Sequence, residues 1–293
     1  MKAMILAAGL GTRMEELTIS TPKPMLPVLG VPLISHTLFL LHRQRCQFAA
    51  INTHYLADQI FDYLSDFPYF PLQFTREEAI LGTGGGISNA LKRTDLSGFF
   101  WVLNPDCIYL PEFSLQRIDS QQEAHLIANQ EAENQSLDSY SDASASARAS
   151  SVQNTSEQPL DGPAPILTVT SRTADSLETG FSFSKNQVPK AADRPHTLHF
   201  DSQGNYLYTG MALLHDSQFR DIPTDSEYNI VEDWKVRAQA GGLLGLPYAG
   251  RILDLGRKKE YLEIHKERNA FPLTYIRDLE DFMLQWKGSP GTQ

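Results

Sequence analysis

The run Leu6-Ala7-Ala8-Gly9-Leu10-Gly11-Thr12-Arg13 is the first stretch of the chain that could do chemistry. Two glycines after an apolar segment let backbone N–H groups come close to a phosphate, because no Cβ stands in the way. Gly-x-Gly alone fits several kinds of phosphate binder, and the neighbouring positions separate them. A dinucleotide-binding fingerprint requires a third glycine three residues after the second, where Met14 stands. A P-loop requires Gly-Lys-Ser/Thr to close the loop, and this chain has none there. Instead the loop closes on Arg13, and Thr21-Pro22-Lys23-Pro24-Met25-Leu26-Pro27 comes soon after. Two cations this near a glycine loop can neutralise a triphosphate.

The elements that must position these groups alternate in type. Residues 2–7 read as a short buried strand ahead of the glycine loop. Leu33, Ile34, Leu38 and Leu41 recur at helical spacing, Phe48 to Thr53 is strand-like, and Leu56 to Leu64 returns to helix. Leu72 to Thr75 is a short strand, and Ile87 to Leu91 sits in a helix opened by the glycines of Leu81-Gly82-Thr83-Gly84-Gly85-Gly86. Phe99 to Leu103 is an apolar run that stops at Asn104-Pro105-Asp106. Strands alternating with helices predict an α/β fold, Rossmann-like, with a mainly parallel mixed sheet and helices on both faces. Ligands of such sheets bind at the carboxyl ends of strands, where both the first glycine loop and Asp106 fall. Further on, Ile166 to Ser171 reads as a strand, and Thr197 to Phe200 with Tyr206 to Leu214 as a hairpin closed by Asp201-Ser202-Gln203-Gly204-Asn205. Helices are expected over 228–239 and 258–266, with a strand over Leu243 to Leu246 between them. Ile276, Leu279, Phe282, Met283 and Trp286 predict a last amphipathic helix whose stripe is a packing face.

From Asn129 to Pro165 the composition is Ser, Ala, Asn, Gln, Asp and Glu with few large apolar residues, which predicts a disordered surface insertion. The expected division is therefore 1–128 as the first half of the folded domain, 129–180 as the insertion, 181–270 as its second half, and 271–293 as the C-terminal helix and tail. A formal net charge of −10 over 293 residues argues against nucleic acid as a partner, which needs a basic face. Cys46 and Cys107 are the two cysteines, too few for a disulfide framework or a four-ligand zinc site, so a reducing compartment is expected. No stretch is long and apolar enough to suggest a membrane span or a signal segment, and the cytoplasm is the expected location. Nothing in the sequence speaks to oligomeric state.

Taken in order, Leu-Ala-Ala-Gly-x-Gly-Thr-Arg at Leu6, Lys23-Pro24, Leu81 to Gly86, Asn104-Pro105-Asp106, Tyr208-Thr209-Gly210 and Asp254-Leu255-Gly256 resemble the motif set of the sugar-1-phosphate nucleotidyltransferases. Met1 to Gly11, Ile51 to Ile60 and the TGGG segment look closest to the N-acetylmuramate 1-phosphate uridylyltransferase branch, and guanylyltransferases for mannose or heptose 1-phosphates share much of the pattern. The resemblance implies the nucleotide-diphospho-sugar transferase fold and a reaction in which a nucleoside triphosphate and a sugar 1-phosphate give an NDP-sugar and pyrophosphate. It implies that Arg13 holds the β- and γ-phosphates and that Lys23 bridges the α-phosphate and the incoming sugar phosphate. Asp106 and Asp254 would bind Mg2+, with substrate phosphates completing an all-oxygen shell. Leu6, Ala8, Gly9, Gly11, Thr12, Gly82 and Thr83 would join Arg13 in framing the nucleotide, and Gly85, Thr209 and Gly210 would line the sugar side. Arg13, Lys23 and Asp106 would be the catalytic set.

Three departures stand out. Pro105 occupies a position where relatives carry Gly, Ala or Ser, and Arg257 one where Thr is common. The Glu-Lys-Pro element that many relatives use at the sugar site is not found between Phe181 and Tyr208. These departures, and the glycine loop taken alone, leave room for two other functional classes. One is a catalytically silent nucleotide-binding relative. The other is a transferase acting on phosphocholine, which needs an aromatic cage that Trp101, Tyr206 and Trp234 would have to build.

Overall fold

A computed structural model describes residues 1–110, 118, 162–172, 180–183, 194–248, 250–267 and 269–288. The central element is a nine-stranded sheet. Its first half comprises β1 (Lys2–Ala7), β4 (Phe48–Thr53), β5 (Leu72–Arg76) and β6 (Phe99–Leu103), in the order β5-β4-β1-β6 and all parallel. Ribbons β2 (Pro27–Val28) with β3 (Val31–Pro32) and β7 (Cys107–Leu110) with β13 (Arg251–Asp254) stand outside it. The sheet continues through β11 (Tyr206–His215), β8 (Ile166–Ser171), β12 (Leu244–Pro247), β10 (His196–Phe200) and β9 (Phe181–Phe183). Only β11 and β10 run against the other seven strands, as the pairing senses require.

The strand sequences explain their place. FAAINT in β4 and FFWVL in β6 are buried at every position, as expected for strands covered on both faces. Side chains alternate between those faces. Ala3, Ile5 and Ala7 of β1 enter one apolar cluster, and Met4 enters the other. The first cluster is closed by helices α1 (Leu33–Arg43), α2 (Ala57–Leu64) and α6 (Leu273–Lys287); the second by α3 (Gly82–Arg93) and α4 (Ile230–Gln239). A short helix α5 (Lys258–Ile264) follows β13. Helices on both faces of a mixed, mainly parallel sheet are the arrangement that the alternation of elements predicted.

The hairpin expected between 197 and 214 is not formed. β10 pairs with β12 and β9, whereas β11 lies between β6 and β8. β11 is a ten-residue strand with six consecutive buried positions, from Thr209 to Leu214. Such a strand belongs in the interior, and β8, buried at Ile166 to Val169, fills the seat that a hairpin partner would have taken. β8 also lies within 129–180, so residues 166–171 belong to the folded sheet rather than to the insertion. The rest of the expected insertion, apart from 162–165, 172 and 180, lies outside the described residues.

Helix α6 packs on α1 through aromatic side chains. Phe282 stacks on Tyr69 with centroids 4.6 Å apart and meets Phe39 at 5.4 Å. Beneath it, His36 is 3% exposed, with Nδ1 2.8 Å from the Tyr275 hydroxyl and Nε2 3.0 Å from the Val28 carbonyl. A carbonyl can only accept, so Nε2 carries the proton and Nδ1 accepts from Tyr275. Burial pushes the His36 pKa down to about 4. Below about pH 6.5 the unfolded chain takes up a proton at this site that the folded chain refuses until near pH 4, so stability falls as pH falls through that window. Urea unfolding at pH 7 and 4.5 should show wild type losing about 2 kcal/mol more than His36→Gln over that interval. Phe282→Ala should lower stability by about 3–5 kcal/mol, while Leu273→Ala on the same helix should stay within about 0.5 kcal/mol of wild type in the same assay.

Candidate active site

β1 ends at Ala7, and the chain turns through Gly9 and Gly11 into a 3-10 segment over Thr12–Thr18. Gly11 has φ 68°, and a Cβ there would stand 3.0 Å from Thr18 Cγ2 and 3.2 Å from Lys23 Cβ. The turn is held by Met14 N–H donating to the Gly11 carbonyl at 2.8 Å and Thr18 Oγ1 donating to the same oxygen at 3.1 Å. Met14, which replaces the third glycine of a dinucleotide fingerprint, is fully buried in the apolar cluster beneath the loop. The loop is thus pinned from below, with Arg13 exposed above it.

Lys23 begins a single 3-10 turn between Pro22 and the buried Pro24. Its ammonium forms an ion pair with Asp106 Oδ2 and donates to the Gly256 carbonyl at 3.1 Å. Asp106 follows β6 in a tight turn, in which Asn104 N–H donates to the Gly210 carbonyl at 2.9 Å. Asp254 arrives from far along the chain on the β7–β13 ribbon, where it stands opposite Cys107. Its Oδ1 accepts from Gly256 N–H at 2.8 Å, and Leu255 N–H donates to the Asp106 carbonyl at 2.9 Å. A Cβ on Gly256 would lie 2.9 Å from Asp254 Oδ1, 3.4 Å from Asp106 Oδ2 and 3.7 Å from Lys23 Nζ, so the three charged groups meet around one glycine. The same convergence acts on Cys107: burial pushes its thiol well up, and the charges of Asp106 and Asp254 add to that. Cys107 therefore stays protonated and inert, as a buried free cysteine should.

Lys23 and Asp106 line a cleft of about 330 Å³ at the carboxyl ends of the parallel strands, and Asp254 meets them from outside its lining. Leu6, Ala8, Gly9, Gly11, Arg13, Lys23, Gly82, Thr83 and Asp106 all face it. Thr12 is exposed at the start of the 3-10 segment. The three residues expected on the sugar side are packed into the fold. Gly85 N–H donates to the Tyr228 carbonyl at 3.2 Å, and a Cβ there would fall on the Ser226 carbonyl. Thr209 is 4% exposed, its hydroxyl bonded to that of Thr168. Gly210, at φ 83°, backs the Asp106 turn, with a would-be Cβ 2.9 Å from Cys107 Sγ and 3.0 Å from Asn104 Nδ2.

Two buried residues of the cleft wall were missed by sequence reasoning. Asn52, at the end of β4, is 3% exposed and Glu77, just past β5, is 2% exposed. Asn52 Oδ1 accepts from Ala7 N–H at 3.0 Å, Asn52 Nδ2 donates to Glu77 Oε1 at 2.6 Å, and Glu77 Oε2 accepts from Leu81 N–H at 3.1 Å. Burial raises the Glu77 pKa, and the bonds from Asn52 and Leu81 oppose the rise. The available signal was Gly86, where a Cβ would lie 2.6 Å from Asn52 Nδ2 and 2.7 Å from Glu77 Oε1. Lys258 Nζ reaches Glu15 and Glu16 at 2.7 Å each, tying the 3-10 segment after the glycine loop to the start of α5.

Among the described residues no group of three or more His, Cys, Asp or Glu could hold a metal ion. Two carboxylates and a main-chain carbonyl do converge, and all-oxygen donors suit a hard divalent cation that takes its remaining ligands from elsewhere. The Lys23 ammonium already supplies positive charge to that oxygen cluster. An aromatic cage is not built: Trp101 and Trp234 belong to apolar clusters on opposite faces of the sheet, and Tyr206 packs on Phe183 at 4.8 Å. No helix among the described residues is long and apolar enough to cross a membrane.

Similarity to known proteins agrees with this geometry. The N-acetylmuramate alpha-1-phosphate uridylyltransferase of Caulobacter vibrioides is 40% identical over 114 residues, 37% of this chain and 46% of that protein. The mannose-1-phosphate guanylyltransferase of Mycobacterium tuberculosis is 38% identical over 89 residues, 30% of this chain and 25% of that one. Both alignments span less than half of the relative's own length. The solved structure of UDP-glucose pyrophosphorylase from Acinetobacter baumannii superposes with a TM-score of 0.65 over 98% of this chain and 99% of that one, at 16% identity, which is a likeness of fold. The family described as nucleotidyl transferase matches residues 2–269, and the chain belongs to that family.

Proposed function

We propose that the chain condenses a nucleoside triphosphate with a sugar 1-phosphate to give an NDP-sugar and pyrophosphate. The observation that carries this reading is that Lys23 and Asp106, which line the glycine-loop cleft, meet Asp254 around Gly256. We assign UTP with an amino-sugar 1-phosphate such as N-acetylmuramate 1-phosphate as the first substrate pair, because the N-terminal and TGGG segments look closest to that branch and that relative is 40% identical over 114 residues. GTP with mannose or heptose 1-phosphate is the second.

A sugar phosphate has a second pKa near ~6, by analogy with phosphorylated side chains, and is largely dianionic at neutral pH. Its oxygen needs no general base to attack the α-phosphorus. A new O–P bond forms there, the bridging bond to the β-phosphate breaks, and pyrophosphate leaves with the electron pair. What the site must supply is alignment of two anions and screening of their charge, from groups already in place. Arg13 is assigned to the β- and γ-phosphates and the departing pyrophosphate. Lys23 is assigned to the α-phosphate and sugar phosphate; its present partners, Asp106 and the Gly256 carbonyl, hold it at the rim before substrate arrives. Backbone groups of Ala8, Gly9 and Gly82 are assigned to base and ribose. Asp106 and Asp254 are the residues that would hold Mg2+, which when bound polarises phosphate oxygens and offsets their charge. The closely packed surroundings of Gly85, Thr209 and Gly210 favour a supporting role for these residues behind the sugar site. A location in the cytoplasm, where nucleoside triphosphates are abundant, fits the reaction.

Pyrophosphate release measured over a panel of triphosphates and sugar 1-phosphates with magnesium should identify at least one productive pair. In that pair, Asp106→Asn should lower kcat/KM by about 10²-fold or more. Triphosphate binding without release from any pair would instead identify a silent relative, and unchanged turnover in Asp106→Asn would remove Asp106 from the site.

A further inference from the structure

We infer that Asn52 and Glu77 are positioning residues that tie the two glycine loops of the cleft into one unit, through a hydrogen-bond chain whose donor and acceptor order only a single carboxylate at its centre can complete. The inference rests on the reading of this cleft as the triphosphate site.

The chain runs between two backbone N–H groups. At one end is Ala7 N–H, the last strand residue before the phosphate loop, which donates to Asn52 Oδ1 at 3.0 Å. At the other is Leu81 N–H, at the entry to helix α3, which donates to Glu77 Oε2 at 3.1 Å. Between them Asn52 Nδ2 donates to Glu77 Oε1 at 2.6 Å. The backbone N–H groups at both ends point inward as donors, and an amide stands next to one of them. The remaining member must therefore accept on both sides, which a carboxylate does and a carboxamide does not. Glu77 is itself anchored by its backbone: its N–H donates to the Thr53 carbonyl at 2.8 Å, and its carbonyl meets His54 Nδ1 at 2.8 Å. The third glycine of the Gly84-Gly85-Gly86 run is needed for the same reason, since a side chain at Gly86 would press on Asn52 Nδ2 and Glu77 Oε1. A buried carboxylate without a cationic hydrogen-bond partner is expensive to retain. Its two donors lead directly to the two loops that must hold one ligand between them, and fixing both loops in advance is what lets backbone groups bind without reorganising.

The order of donors supplies a test that a merely space-filling role would fail. Glu77→Gln keeps the shape but puts one donor too many into the chain, so somewhere between Ala7 and Leu81 two N–H groups must face each other. Asn52→Asp brings two carboxylates together. In the double variant Asn52→Asp/Glu77→Gln the new amide donates to the new carboxylate, whose other oxygen accepts from Ala7, while the amide oxygen accepts from Leu81. Every group is matched again, with the charge of the wild type. Steady-state kinetics of the four proteins should show each single variant raising the triphosphate KM by about ten- to a hundredfold, the sugar 1-phosphate KM staying within about twofold, and the double variant returning to within about threefold of wild type. Single variants with a wild-type triphosphate KM, or a double variant no better than the worse single one, would overturn the inference. If a single variant does not fold, recovery of folding in the double variant supports the inference and failure to recover overturns it. If the wild type turns over no substrate pair, the functional reading falls by itself; melting temperatures still decide the brace, lowered in the single variants and restored in the double, with equal melting of all four proteins counting against it.

Discussion

The ammonium of Lys23 is the contact on which the rest of the site depends. It joins Asp106, just past the end of a central strand, to the Gly256 carbonyl beyond Asp254, and so ties the turn that follows the first glycine loop to a segment 233 residues away from Lys23. With side-chain exposures of 13% and 17%, neither charge is well served by water. Removing one member of such a pair strands the other, which is why partly buried pairs are felt mainly when broken. The pairing also explains the ribbon of β7 and β13, whose antiparallel register sets Asp254 against Cys107 and beside Asp106. Sheet, ribbon and loop thus meet where two anionic substrates would need screening.

Around that contact the cleft is built in two layers. The inner surface includes backbone at Ala8, Gly9 and Gly82 and the charged side chains of Arg13, Lys23 and Asp106. The supporting layer is buried and polar, Asn52 and Glu77 on one side, Thr168 with Thr209 and Gly210 with Asn104 on the other. Below both lie Met14, Ile5 and Trp101, fully buried, which keep the loop from sinking into the core. Backbone groups that frame a site are held by what packs behind them, so their geometry is only as firm as this second layer.

Much of this was legible in the sequence, for physical reasons that differ from element to element. The doubly buried strands β1, β4 and β6 announce themselves as short apolar runs, and the turn at Asn104-Pro105-Asp106 as an abrupt end to one of them. Leu6 to Arg13, Lys23 and Asp106 were singled out through the motif set they resemble, and the fold brings Leu6, Arg13, Lys23 and Asp106 to one cleft. The β10–β11 hairpin was misread because alternation reports that a segment is a strand but not which strand lies beside it, and the actual neighbours β8 and β12 lie in other parts of the chain. Asn52 and Glu77 gave no sign of their own, since a lone polar residue at a strand end looks like a turn residue. Only the geometry at Gly86 betrays the pair.

Tracing the α-phosphate tests the central claim most directly. With UTP carrying radiolabel at the α-phosphorus, magnesium and the productive sugar 1-phosphate, the label should move into the NDP-sugar and none should appear in pyrophosphate or inorganic phosphate. Label that ends in UMP or UDP, with no NDP-sugar formed, would contradict nucleotidyl transfer at this cleft.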